Sequence, residues 1–214
     1  MPNVPLTDGA IPQRITDRES YRRFLALDLE AHDLRRWRLL HRFTKPTLLY
    51  QRALRSTEYW QTKHGALKLV YYWRRFVLLR LSLKTGITIS PGTFGPGLSI
   101  PHYGSVIVNS RARVGAFCRI HSSTNIGAFR GGAPVMGDRI YIGPGAVLFG
   151  PIRIGNDVAV GANATVMEDV PDNSTVVGAK ARVLPADPGR SVLQPWLAHY
   201  APSDQQRTLA DSGN

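Results

Sequence analysis

The sequence predicts a mainly β chain: a parallel β-solenoid wound from hexapeptide repeats, with an α-helical region at its N-terminal side. The first sign is an aliphatic residue at every sixth position through Val108, Val114, Ile120 and Ile126. The same beat returns through Met136, Ile142, Leu148, Ile154, Val160 and Val166. Neither an α-helix nor an amphipathic strand repeats at six, whereas stacked coils that bury their apolar positions against one another do. The second sign is glycine just after the beat, at Gly115, Gly127, Gly137, Gly143, Gly155 and Gly161, where a turning chain leaves little room for a Cβ. The third is an interruption. Ile126 to Met136 spans ten residues instead of six, so four residues are pushed out of the coil between Gly127 and Val135. Insertions in repeat proteins collect on a functional face, which marks this loop.

The elements follow in order. Residues 1–16 carry Pro and Gly without periodicity and are expected to be loose. Thr16 and Asp17 can cap a helix running through SYRRFLALDLEAHDL. Pro46 punctuates the next stretch, and TLLYQRALRSTEYWQ reads as a second helix. The segment ALKLVYYWRRFVLLRLSLKTG, rich in long apolar side chains, reads as a third, closed by Gly86 as a C-cap. Residues 17–86 are therefore expected to form a basic helical domain, residues 87–184 the solenoid, and residues 185–214, which open on PADPG, an arm or tail on the surface.

Composition narrows the partners. At 214 residues the chain is long enough for a substantial core, and its net charge of +12 points to an anionic partner. The excess of Arg and Lys lies in the helical region, with Arg22, Arg23, Arg35, Arg36, Arg38, Arg42, Arg74, Arg75 and Arg80. No nucleic-acid recognition motif accompanies these charges, so nucleic acid is not the expected partner. Snorkelling over a bundle or oligomer interface is one reading of them, and attraction to anionic lipid at the inner membrane face is another. A single cysteine, Cys118, excludes an intramolecular disulfide framework and fits a reducing cytosol. The N-terminus lacks a signal-peptide core, and no uncharged stretch is long enough to span a bilayer. A cytoplasmic or peripheral protein is expected.

Two segments carry a resemblance to a known family: GPGLSIPHYGSVIVN (95–109) and IGPGAVLFGPIRIGNDVAVGANATVMEDVPDNSTVVGAKARV (142–183). From Ile89 to Val183, a little under half the chain, the sequence resembles the hexapeptide-repeat acyltransferases, specifically the serine O-acetyltransferase branch. The resemblance implies a left-handed parallel β-helix, acetyl-CoA as acyl donor, a homotrimer or a multiple of it, and a site in the groove between subunits. Within that branch, IPHYGSVIVN and VPDNSTVVGAKARV look closest to exopolysaccharide O-acetyltransferases of the colanic-acid type. Serine enzymes of the branch carry Asp before the catalytic His, where this chain has Pro101. They also carry an Arg-His pair in the extruded loop, where it has Gly132-Ala133, and an Asp-Pro in the helical domain, whose counterpart here is Lys45-Pro46.

Moving an acetyl group from a thioester to a hydroxyl requires a base, oxyanion donors and a slot that aligns both reactants. Histidine suits the first task because it titrates near neutrality. Of six histidines, His102 and His121 fall in the solenoid. His102, in Pro-His-Tyr-Gly, matches the family's catalytic His, with a backbone carbonyl or Asn109 expected to orient it in place of the missing Asp. His121 aligns with no family catalytic residue and reads as a corner or interface side chain. The resemblance lays the CoA arm along Gly143, Pro144, Gly145, Gly161 and Ala162, and its phosphates near Lys180 and Arg182. Pro144 replaces a more usual alanine and has no amide to donate. In the extruded loop, Arg130 is expected to meet an acidic sugar or phosphate, and Asn109 to border the same acceptor. Cys118 is read as an inert coil residue. Two solenoid histidines fall short of the three that a β-helical zinc enzyme needs, so no metal is expected. The reading is an acetyl-CoA-dependent O-acetyltransferase acting on a sugar or exopolysaccharide hydroxyl. Serine O-acetylation and a non-catalytic β-helical scaffold or binding module are the alternatives.

Overall fold

The computed structural model describes residues 14–178. Helix α1 (Arg18–Glu30) begins in a capping box: Asp17 accepts the Ser20 amide at 2.8 Å while the Ser20 hydroxyl accepts the Asp17 amide. A short α2 (His41–Thr44) precedes α3 (Pro46–Gln61), in which Pro46 sits in the first turn, where its missing N–H costs nothing. One turn of 3-10 helix at Gly65–Leu67 leads into α4 (Lys68–Thr85), which ends at Gly86 in the left-handed conformation (φ 77°).

Short strands follow: β1 (Ile87–Thr88), β2 (Val106–Val108), β3 (Arg113–Val114), β4 (Arg119–Ile120), β5 (Thr124–Gly127), β6 (Val135–Met136), β7 (Tyr141–Ile142), β8 (Val147–Phe149), β9 (Arg153–Ile154), β10 (Ala159–Val160), β11 (Thr165–Val166) and β12 (Thr175–Val176). All pairings between them are parallel. They build three sheets, β1-β2-β5-β8-β11, β3-β6-β9 and β4-β7-β10-β12, the three faces of a solenoid. Phe94 extends the second face by bridging to Val114. Each turn of the coil visits every face once, and the hexapeptide beat falls on the buried side. Val108, Ile126 and Leu148 align on one face, Val114, Met136 and Ile154 on the next, and Ile120, Ile142 and Val160 on the third.

The beat is half of the core. The residue two places before each beat position is buried as well: Val106, Ala112, Cys118, Thr124, Pro134, Ile140, Ala146, Ile152, Val158 and Ala164. The side chains of strand residues alternate between faces, so both i and i−2 point inward. Cys118 is thus a core atom set, and burial pushes its thiol well above the usual range. The glycines serve closeness more than turning. A Cβ on Gly143 would stand 2.8 Å from the Ala162 amide nitrogen of the next coil, and one on Gly115 would stand 2.6 Å from the Gly137 carbonyl oxygen. The left-handed turn positions come later and are mostly not glycine, as at Phe117, Arg139, Asp157 and Asn173. On that edge, side chains tie coil to coil: Asp138 accepts the Ala116 amide, Asn156 that of Asp138, and Asp172 that of Asn156, at 2.7–2.9 Å.

Helices and first coils share one core. Tyr50, Leu54 and Leu78 pack with Ile87, Ile89 and Phe94. The Tyr50 hydroxyl accepts the Ile89 amide at 3.0 Å, and burial raises its pKa to about 12. Beside it Arg55, with no exposed surface, holds Asp28 through Nε at 2.8 Å and Glu58 at 3.1 Å. The same guanidinium donates to the Phe94 and Gly95 carbonyls at 2.9 and 2.6 Å. The carboxylates reach the coil too, Asp28 accepting the Leu98 amide and Glu58 the Gly92 amide. Burial works against the arginine's charge, but the two carboxylates outweigh it and raise its pKa.

His32 joins helix to coil through Gln51, whose side-chain amide donates to the Leu98 carbonyl at 2.5 Å. That leaves Gln51 Oε1 as the acceptor, so His32 Nε2 carries the proton across 2.8 Å. Burial, the largest influence, holds the His32 pKa below 6.5 against the opposing pull of Gln51 and Asp28. A histidine depressed in the fold stabilises it fully above its unfolded pKa, and the contribution is lost as pH falls through the lowered value. Thermal melts between about pH 7 and pH 5 are therefore expected to fall with acidification, and His32→Gln to flatten that slope. An unchanged slope in the variant would show that other groups set it.

Candidate functional site

One edge of the solenoid, where the chain leaves the face β4-β7-β10-β12, gathers most of the residues singled out above. Ser99 bridges Arg119, Arg119 pairs with Tyr141, and Tyr141 with Ala159. Two residues further along each coil this register stacks Pro101-His102, His121-Ser122, Gly143-Pro144 and Gly161-Ala162 in one column. Hydrogen bonds hold the column. The amides of His121 and Gly143 donate to Ile142 and Val160 at 3.0 and 2.8 Å, Gly145 donates to Ser122 at 3.1 Å, and Asn163 to Pro144 at 2.9 Å. Pro144 takes part through its carbonyl, so its missing amide leaves the ladder intact. Coils stack at about 4.8 Å, so His102 and Ala162 are separated by about 14 Å along the edge.

His102 is exposed at the head of this column, next to the exposed Tyr103. Its ring lies 6.2 Å from that of His121, which in turn lies 5.2 Å from the Tyr141 ring, centre to centre. His121 Nε2 is buried and has no hydrogen-bond partner. Desolvation first, then Arg119 and His102, hold the His121 pKa below 6.5, so this imidazole is neutral near pH 7. The grouping of His102, His121 and Tyr141 was not read from the sequence. It arises because residues about twenty apart become neighbours when coils stack.

Asn109 and Arg130 stand on a different edge, after the face β1-β2-β5-β8-β11. The Asn109 side-chain oxygen accepts the Arg111 amide at 3.0 Å, closing a local turn, and does not orient His102 within the chain. The ten-residue interval is the expected loop. Phe129 and Gly132 exchange two backbone hydrogen bonds at 2.9 and 3.0 Å, and Phe129 rests edge-on against Phe149 at 5.9 Å. Arg111 reaches the Gly131 carbonyl at 2.9 Å, and Arg130, exposed at φ 46°, lies 5.2 Å over Phe129. The chain thus brings His102 together with Gly143, Pro144, Gly145, Gly161 and Ala162, and holds Asn109 and Arg130 apart from them. Lys180 and Arg182 lie outside the described residues. Among the described residues no group of three or more His, Cys, Asp or Glu is placed to hold a metal ion.

Comparison with known proteins follows the same outline. Serine acetyltransferase of Helicobacter pylori (strain ATCC 700392 / 26695) is 36% identical over 113 residues, 48% of this chain and 66% of that protein. The Mycobacterium tuberculosis (strain ATCC 25618 / H37Rv) serine acetyltransferase is 39% identical over 97 residues, 43% of this chain and 42% of that one. A little under half of this chain is thus similar in sequence to serine acetyltransferases. The soybean serine acetyltransferase apoenzyme superposes with a TM-score of 0.62 at 26% identity, covering 78% of this chain and 70% of that one. The shared fold is the parallel β-solenoid with N-terminal helices. No family model matches the chain. The chain spans just under two thirds of the Helicobacter protein and less than half of the mycobacterial one. The finer likeness to exopolysaccharide O-acetyltransferases gains no support from these relatives, which point to the serine acetyltransferases instead.

Proposed function

We propose that this chain is an acetyl-CoA-dependent O-acetyltransferase, with a serine-type amino-acid hydroxyl as its leading acceptor class. The observation that carries the reading is the column itself, an exposed imidazole heading about 14 Å of stacked small residues on one edge. That length suits an extended pantetheine chain laid along Gly161, Ala162, Gly143 and Pro144 toward His102. His102 takes the hydroxyl proton as the oxygen attacks the thioester carbonyl carbon. The tetrahedral oxyanion then collapses, the C–S bond breaks, and the thiolate leaves and recovers the proton, giving an acetyl ester and free CoA. His121, neutral and packed between His102 and Tyr141, supports the reading by adding no competing positive charge beside the base. The acceptor loop stands on another edge of the same chain. The homotrimer implied by the resemblance supplies a way to bring one copy's loop to another's His102.

A sugar hydroxyl is the second reading. It rests on Pro101 and Gly132-Ala133, which stand where serine enzymes of the branch carry their Asp and loop Arg-His. Parallel thiol-release assays with L-serine and with nucleotide sugars or oligosaccharides separate the two. Turnover of L-serine is expected; turnover confined to the sugars would move the assignment. Saturating CoA is expected to raise the melting temperature. At a hundred times Kd a ligand that binds the native state adds about 2.7 kcal/mol, roughly 5–10 °C for a chain of this size. No shift with CoA or acetyl-CoA would favour a non-catalytic scaffold.

A further inference from the structure

Helix α4 shows two unlike faces. Leu78 and Thr85 are buried against the core, while Leu69, Tyr72, Trp73, Phe76, Leu79 and Leu83 are each more than half exposed. At 100° per residue these six fall within one stripe about 120° wide. A stripe of that extent, with two aromatic rings 5.7 Å apart at Trp73 and Phe76, exceeds the scattered apolar residues a water-facing helix ordinarily carries. Its borders are basic. Lys68 and Arg75 flank one side, Lys84 the other, and Arg80 lies within it; α4 contains no acidic residue. Between Asp33 and Asp138 the one acid is Glu58, and that is consumed in the buried cluster around Arg55. The segment around α2 repeats the chemistry, with Leu39, Leu40 and Phe43 exposed among Arg35, Arg38 and Arg42.

We infer that the outer face of α4 is an interfacial membrane-docking surface for bilayers containing anionic phospholipid. An aromatic and leucine stripe settles at the boundary between headgroups and acyl chains, and a cationic rim meets the negative surface around it. Charge complementarity selects this occupant over a second copy of the chain, since pairing two such faces sets cation against cation around the rim. The helix lies on the surface without crossing it: no helix among the described residues is long and apolar enough to span a membrane.

The test uses the full chain with vesicles of phosphatidylcholine alone and with the same vesicles doped with phosphatidylserine. Co-sedimentation is expected with the doped vesicles, together with a blue shift of tryptophan emission that Trp73→Phe removes. Trp73→Ser with Phe76→Ser is expected to lower the partition coefficient about tenfold or more, and Arg75→Glu with Arg80→Glu to do likewise through charge. Circular dichroism confirms that each variant remains folded. Equal binding to both vesicle types, or none to the doped ones, overturns the inference. So does an unaltered partition coefficient in the Trp73/Phe76 variant. A smaller particle by light scattering in that variant, with no lipid binding by the parent, assigns the face to a second copy of this chain.

Discussion

His102→Ala is expected to lower the rate of acetyl transfer roughly a hundredfold or more, the size of a lost general base. The KM for acetyl-CoA is expected to stay within a few-fold, because the residues proposed to hold the pantetheine lie two and three coils further along the edge. A matching thermal shift with CoA in both proteins separates this outcome from misfolding. Fall of kcat with the CoA shift retained marks His102 as the base; near-normal turnover would move that task to another group. His121 is the neighbouring imidazole, and its depressed pKa keeps it available as a neutral partner near pH 7.

The second large effect concerns stability. Arg55→Met removes the cation from between Asp28 and Glu58 and leaves two buried carboxylates without it. Breaking a buried pair by removing one partner costs about 3–5 kcal/mol, roughly 6–20 °C in Tm for a chain of this length. The loss is expected to be largest at neutral pH and smaller under acid conditions that protonate the carboxylates. Replacing Asp28 and Glu58 with leucine in the same variant is expected to recover only part of the loss: it removes the stranded charge but leaves the Leu98 and Gly92 amides without their acceptors. A melting temperature unchanged in Arg55→Met would show that the junction between helices and coils does not depend on the Arg55 ion cluster.

The solenoid was legible because its signal is periodic and apolar. Met136 to Val166 keeps step at six, and the skip after Ile126 locates the extruded loop before any coordinates. The second inward position was not legible, because Ala112, Cys118, Thr124 and Ile140 share no residue type; only their distance from the beat unites them. The Arg55 cluster was hidden for the opposite reason. The buried side of α3 presents Thr47, Gln51, Arg55, Thr57 and Glu58, and polar residues on a helix ordinarily read as its solvent face. At the candidate site, motif likeness led to His102 and the glycines of one column. It could not show that Asn109 and Arg130 occupy another edge, since edge membership depends on how many residues each coil takes to close. The pairing of His121 with Tyr141 is likewise a product of coil stacking.

The loop closed by Phe129 and Gly132 leaves and re-enters the coil between β5 and β6, and the strands on either side keep their partners in the coils before and after. Length and composition can therefore vary there while the rest of the prism stays in step. On the proposed reading, donor handling and acceptor choice then fall to parts that can diversify separately, so that a new specificity could be grafted at the bulge without re-engineering the proposed thioester track.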